Sequence, residues 1–97
     1  MFAVIFIARI KSLDGEYVQT AARLRELARE KYGCLDFISL TESGQEIAIS
    51  YWESLEQIKT WKQDPEHLRA QEQGKHSWYE SYQVQITEVV RAYDSNE

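Results

Sequence analysis

The stretch from Phe2 to Ile10 is apolar on both faces of an extended chain. Phe2, Val4, Phe6, Ala8 and Ile10 fall on one side, and Ala3, Ile5 and Ile7 fall on the other with Arg9. A strand of this pattern must be covered on both faces. That requirement limits what a chain of 97 residues can fold into. A domain this small has a thin core of its own, and only one layer of helices can be assembled from the rest of it.

The remaining elements follow from local signals. Asp14 is placed to cap a helix from about Gly15 to Lys31, with Tyr17, Ala21, Leu24, Ala28 and Tyr32 on one stripe beside Leu27, and with Gly33 as its stop. Leu35 to Thr41 and Gln45 to Trp52 read as strands joined by a tight turn at Glu42-Ser43-Gly44. Ser54 and Gln57 form a capping-box pattern ahead of Leu55, Ile58 and Trp61, which share one helical face. Asp64-Pro65 opens a second helical segment to about Gln73, since proline at the first helical position loses no hydrogen bond. Gly74 is expected to end it, Lys75 to Glu80 to add another turn, and Tyr82 to Tyr93 to form the last strand, with a bulge at Val89-Val90 and a frayed tail from Asp94 to Glu97.

The order is β-α-β-β-α-β in a single domain over 1–97, an α+β ferredoxin-like arrangement with an antiparallel sheet. Helices cover one face of that sheet and no residues remain for the other. A second copy packed sheet against sheet supplies the cover, so a homodimer is expected, a dimeric α+β barrel if the two sheets close. Each subunit would then keep a pocket between its sheet and the region from Ser54 to Gln73.

Charge removes several partners. Eleven basic residues face sixteen acidic ones, a net charge of −5, without the clustered positive charge that phosphates or an anionic membrane surface require. Phe2 to Ala8 is too short for a membrane span and lacks the basic flank of a signal peptide. One cysteine, Cys34, allows no internal disulfide, and the cytoplasm is the expected compartment.

Aromatic residues are concentrated between Tyr51 and Tyr82. Tyr51, Trp52, Trp61, Trp78, Tyr79 and Tyr82 are candidates to line a pocket for a small hydrophobic or aromatic molecule, against the plainer role of core or interface packing. His67, in the first turn after Pro65, is the candidate acid–base residue, since a neutral imidazole can take a proton from a phenol or enol. His76 reads as an exposed loop histidine, Arg9 as half of a strand-end salt bridge, and Cys34 as a small buried apolar residue. With two histidines nine residues apart, one cysteine and no Gly-rich phosphate loop, neither a metal nor a cofactor is expected.

Three segments carry a family likeness: Ile49-Ser50-Tyr51-Trp52-Glu53-Ser54, Ile58-Lys59-Thr60-Trp61-Lys62, and Glu66-His67-Leu68-Arg69-Ala70-Gln71, followed by Gly74 and Trp78-Tyr79-Glu80-Ser81-Tyr82. Over roughly 2–92 the chain resembles the antibiotic biosynthesis monooxygenase family of dimeric α+β barrel proteins. The superfamily includes cofactor-free oxygenases of aromatic polyketides, haem-degrading monooxygenases, small isomerases and proteins with no assigned reaction. The haem-degrading branch uses an Asn on the first strand, a Trp on the second helix and a His about three turns later. Trp61 matches the Trp, Gln71 stands at the His position and the first strand has no Asn, so haem degradation is not expected. The resemblance implies O2-dependent monooxygenation of an aromatic or quinol-like compound without metal or flavin. His67 would act as the base, and Tyr51, Trp52, Trp61, Trp78 and Tyr82 would form the substrate site. The alternatives are a non-catalytic ligand-binding dimer and an isomerase of a small polar carbonyl compound, the latter favoured by an Arg or Lys inside the cavity.

Overall fold

The first strand sits at the centre of the molecule. In the computed structural model, which describes residues 1–95, β1 (Phe2–Ile10) lies between β3 (Gln45–Trp52) and β4 (Tyr79–Glu88), and β2 (Asp36–Glu42) pairs with the outer side of β3. The strand order β2-β3-β1-β4 with every pairing antiparallel is the ferredoxin-like sheet. Three helices, α1 (Gly15–Glu30), α2 (Leu55–Lys62) and α3 (Pro65–Gln73), complete the chain, followed by a π-helical turn over Gly74–Trp78.

Caps hold the helix starts where the sequence puts them. The Asp14 carboxylate accepts from the Tyr17 N–H at 2.9 Å, and Ser54 and Gln57 exchange hydrogen bonds as a capping box. Asp64 accepts from the Glu66 and His67 N–H groups at 2.8 and 3.3 Å. Its carboxyl lies below the ordinary carboxylate range, first because the Tyr32 hydroxyl donates to it. The β2–β3 hairpin turns through Ser43 and Gly44 at φ 52° and 76°, the pair of left-handed residues that a two-residue turn with matching twist requires.

The C-terminal third departs from expectation. Gly74 does not stop the helix. It keeps right-handed angles (φ −60°, ψ −46°) and carries the chain into the π-helical turn, so β4 starts at Tyr79 rather than Tyr82 and ends at Glu88 rather than Tyr93. Glycine lets the chain pass close to the Tyr79 ring, since a Cβ there would lie 3.0 Å from it, tighter than ordinary contact. The bulge falls at the start of β4, where Arg9 pairs with Ser81 and Ile10 with Tyr79, leaving Glu80 as the extra residue. Val89-Val90 lies beyond the strand. Of the tail expected at 94–97, residues 96 and 97 lie outside the described residues.

The helices pack on the sheet face that carries Val4, Phe6, Ser50 and Val84. The core gathers at one end of that layer, from Leu27, Ala28, Cys34, Trp52, Ile58 and Trp61. The opposite sheet face has no cover among the described residues. Two aliphatic rows cross it, Ile5–Ile49–Ile38 and Ile7–Ile47–Leu40, with Leu40 72% exposed. Arg9 is exposed at the bulged end of β1 and forms no ion pair among the described residues.

Candidate functional site

The core fills only one end of the layer between sheet and helices. Toward the other end a cavity of about 160 Å³ remains, partly open to solvent. α1 supplies one wall, α3 and the end of α2 another, and the sheet forms the floor. Its apolar surface comes from Phe6, Phe37, Trp61, Trp78 and Tyr82. Phe6 holds Tyr79 and Tyr82 at 5.4 and 5.5 Å between ring centroids, and Trp78 meets Tyr17 edge-on at 5.2 Å. The indole N–H of Trp78 donates to Asp14 at 3.3 Å, which ties the π-helical turn to the start of α1.

A buried carboxylate closes one end. Glu46 is 4% exposed, accepts the Tyr17 hydroxyl and lies 3.3 Å from the Tyr79 hydroxyl. Burial, reinforced by the Glu46 carboxylate, pushes both phenols above the ordinary tyrosine range. Both therefore stay protonated and serve as donors. The arrangement satisfies a buried charge that would otherwise be costly and presents two phenol oxygens to the cavity.

His67 lines the cavity from α3, with its ring 4.5 Å from that of Trp61. Burial lowers its pKa from 6.5 to about 4, the Lys62 charge adds to this, and Asp64 and the nearby Lys62 backbone oppose it. The imidazole is neutral at physiological pH, an acceptor and a weak base. Because the folded pKa lies below the unfolded one, the unfolded chain binds the extra proton between pH 4 and 6.5. This histidine therefore contributes stability that is complete above pH 6.5 and is lost as pH falls toward 4. Urea titrations across that window should show a slope in the unfolding free energy totalling about 3 kcal/mol, absent in His67→Gln. Equal slopes in both proteins would contradict the assignment.

Of the site residues expected from sequence, His67, Trp61, Trp78, Tyr79 and Tyr82 line the cavity together. Tyr51 and Trp52 do not. Neighbours on a strand face opposite ways, and with Ser50 on the cavity floor, Tyr51 faces the uncovered side of the sheet. Trp52 shares the phase of Ser50 but lies one step beyond the cavity. It is fully buried in the core and donates from its indole to Ser50 Oγ at 2.9 Å. The pocket also reaches past α2, its walls coming mainly from α1 and α3. His76 is exposed against Glu72 at 3.3 Å, and Cys34 is a buried free thiol whose Sγ lies 3.1 Å from the Asp36 carbonyl oxygen.

Sequence reasoning missed Glu46, Tyr17 and Arg25. Glu46 shares its strand face with Ala48, Ser50 and Trp52, a charge in phase with small and aromatic residues, and that was the available signal. Tyr17 stands on the apolar stripe of α1 and reads as packing. Arg25 reads as helix surface, yet its guanidinium lies 5.4 Å from the Phe37 ring centroid on the cavity wall.

Comparison with known proteins agrees with this architecture. The model of the family described as antibiotic biosynthesis monooxygenase matches residues 1–73. An uncharacterized protein of Bacillus subtilis, YqjZ, is 40% identical over 93% of this chain and 80% of its own. A jasmonate monooxygenase from Pyricularia oryzae is 31% identical over the whole of this chain, which spans 47% of that protein. Among solved structures, SnoaB, a cofactor-independent oxygenase from Streptomyces nogalater, superposes with a TM-score of 0.78 at 12% identity, over 94% of each chain. Rv0793 from Mycobacterium tuberculosis gives 0.79 at 12% identity, over 96% of this chain and 98% of its own. At such identities these two establish the fold alone. No helix among the described residues is long and apolar enough to cross a membrane.

Proposed function

Because this chain belongs to the antibiotic biosynthesis monooxygenase family, we propose that it is a monooxygenase of a small, single-ring phenol or quinol, working without a bound cofactor. The observation that carries the reading is the cavity itself. Its volume of about 160 Å³ suits one ring, as an apolar cavity of about 150 Å³ holds benzene. Trp61, Trp78 and Phe37 supply faces for stacking, and hydrogen-bonding groups line it at Glu46 and His67. The likeness to a jasmonate monooxygenase supports oxygenation over binding alone.

The substrate itself supplies the electrons. A phenol with a free para C–H, or a quinol with a free ortho C–H, consumes one O2, takes one oxygen atom onto that carbon as the ring is oxidised to a quinone and releases the other as water, so no external reductant is needed. His67 Nδ1 is buried without a hydrogen-bond partner and accepts the phenol proton. A pKa near 4 makes it too weak a base to deprotonate a phenol outright. A phenol that loses an electron becomes a strong acid, however, so the proton leaves as the electron passes to O2. The aromatic lining limits water at the ring.

Arg25 and Lys62 on the cavity wall favour a second reading, isomerisation of a small polar carbonyl compound. Oxygen uptake separates the two. With a panel of substituted phenols and hydroquinones, wild type should consume oxygen above the buffer rate, and His67→Ala should fall by about 10²-fold or more. No uptake by wild type removes the monooxygenase reading.

The uncovered aliphatic rows support a homodimer joined through the open sheet face. The buried free thiol of Cys34 suits a reducing compartment such as the cytoplasm.

A further inference from the structure

Among the described residues, two buried side-chain polar atoms lack a hydrogen-bond partner, Arg25 Nε and His67 Nδ1, and both residues line the cavity. His67 has a role in the chemistry above. Arg25 has none. Of the three arginines on α1, Arg23 pairs with Glu66 at 3.1 Å and Arg29 with Asp36 at 3.2 Å, both toward solvent. Arg25, the one that faces the cavity, forms no ion pair among the described residues, although acidic residues outnumber basic ones by sixteen to eleven. Glu46 makes no ion pair with it and accepts from Tyr17 and Tyr79 instead. Lys62, at the end of α2, reaches the same cavity and is likewise without an ion pair among the described residues.

A guanidinium laid against an aromatic ring is held in orientation, and its N–H groups match a planar carboxylate far better than a neutral carbonyl. A buried donor without an acceptor is a standing cost that a ligand oxygen removes. We propose that the cavity binds its ligand as a carboxylate, with the acid group on Arg25 and Lys62 and a single ring against Phe37, Trp61 and Trp78. The proposal rests on the preceding section only in taking this cavity as the substrate site, and it narrows the substrate to a monocyclic acid.

The test compares 4-hydroxybenzoate with 4-hydroxybenzamide, which has nearly the same shape and no charge. Binding is followed without oxygen, by quenching of tryptophan fluorescence and by calorimetry. Wild type should bind the acid at least about 10-fold more tightly than the amide, the range of one charge-assisted hydrogen bond. Added salt should narrow the difference. Arg25→Met should reduce it to about threefold or less, with Arg25→Lys between the two. Lys62→Gln, on the cavity rim, should narrow it as well and serves if Arg25→Met does not fold. Equal binding of acid and amide by wild type, or saturable binding of neither, overturns the proposal. Because no turnover is read, the two ideas fail separately. An acid-selective cavity without oxygen uptake refutes only monooxygenation, and uptake with neutral phenols but no acid preference refutes only the carboxylate site.

Discussion

Replacing Trp52 with alanine is expected to lower the unfolding free energy by about 3–5 kcal/mol, a large part of the roughly 5–15 kcal/mol that a domain of this size possesses. The indole is 0% exposed, packs with Leu27, Ala28, Cys34, Ile58 and Trp61, and lies 6.3 Å from the Trp61 ring. Truncation leaves a void at the one place where the layer between sheet and helices is solidly filled. It also leaves Ser50 Oγ, buried with its residue at 6% exposure, without its indole donor. In urea unfolding the midpoint should move while the slope stays constant, and the melting temperature should fall by more than about 12 °C. Trp52→Phe should cost less than half as much, since most of the ring volume is kept. A loss below about 1 kcal/mol in Trp52→Ala would show that this residue is not part of the core.

Lysine at position 49 is expected to separate the proposed homodimer into folded monomers. Ile49 is at the centre of the uncovered face, between Ile5 on β1 and Ile38 on β2. In a two-fold interface every substitution occurs twice, so Ile49→Lys buries two unpaired ammonium groups. Association should weaken by about 10³-fold or more. Sedimentation at micromolar concentration should show wild type at twice 11.4 kDa and the variant near 11.4 kDa. The variant should keep its far-UV circular dichroism, because the core packs on the opposite sheet face. A wild-type protein that sediments as a single chain would leave the rows of Ile5, Ile49 and Ile38 and of Ile7, Ile47 and Leu40 in water, and the dimer would have to be abandoned.

Elements set by short-range signals were readable from the residues. The two-faced pattern of Phe2 to Ile10, the Ser54–Gln57 capping box and the Asp64-Pro65 helix start each depend on neighbours within a few positions, and each forms where it was expected. Gly74 misled because glycine serves two purposes. Its backbone freedom suits a helix end, whereas here its missing side chain lets the Tyr79 ring pack close, a contact with no local signature. Glu46 is hidden from a sequence reading because alternation in β3 points the other way: Ile47, Ile49 and Tyr51 make the more apolar phase, yet Glu46, Ala48, Ser50 and Trp52 are the residues that face the helices. Tyr51 and Trp52, adjacent in sequence, were grouped by aromatic character, though a pleated strand sends them to opposite faces of the sheet.

The order of strands and helices, and the excess of apolar surface on the sheet, were determined by the sequence alone, because periodicity and caps act over single turns and single strands. The composition of the site was decided by tertiary structure. Tyr17 and Tyr79 meet Glu46 across 29 and 33 residues of chain, and Arg25 stands over Phe37 from a different layer. Whether a charge faces water or a cavity depends on which helix crosses which strand, and that crossing is settled by packing of the whole layer rather than by any segment within it.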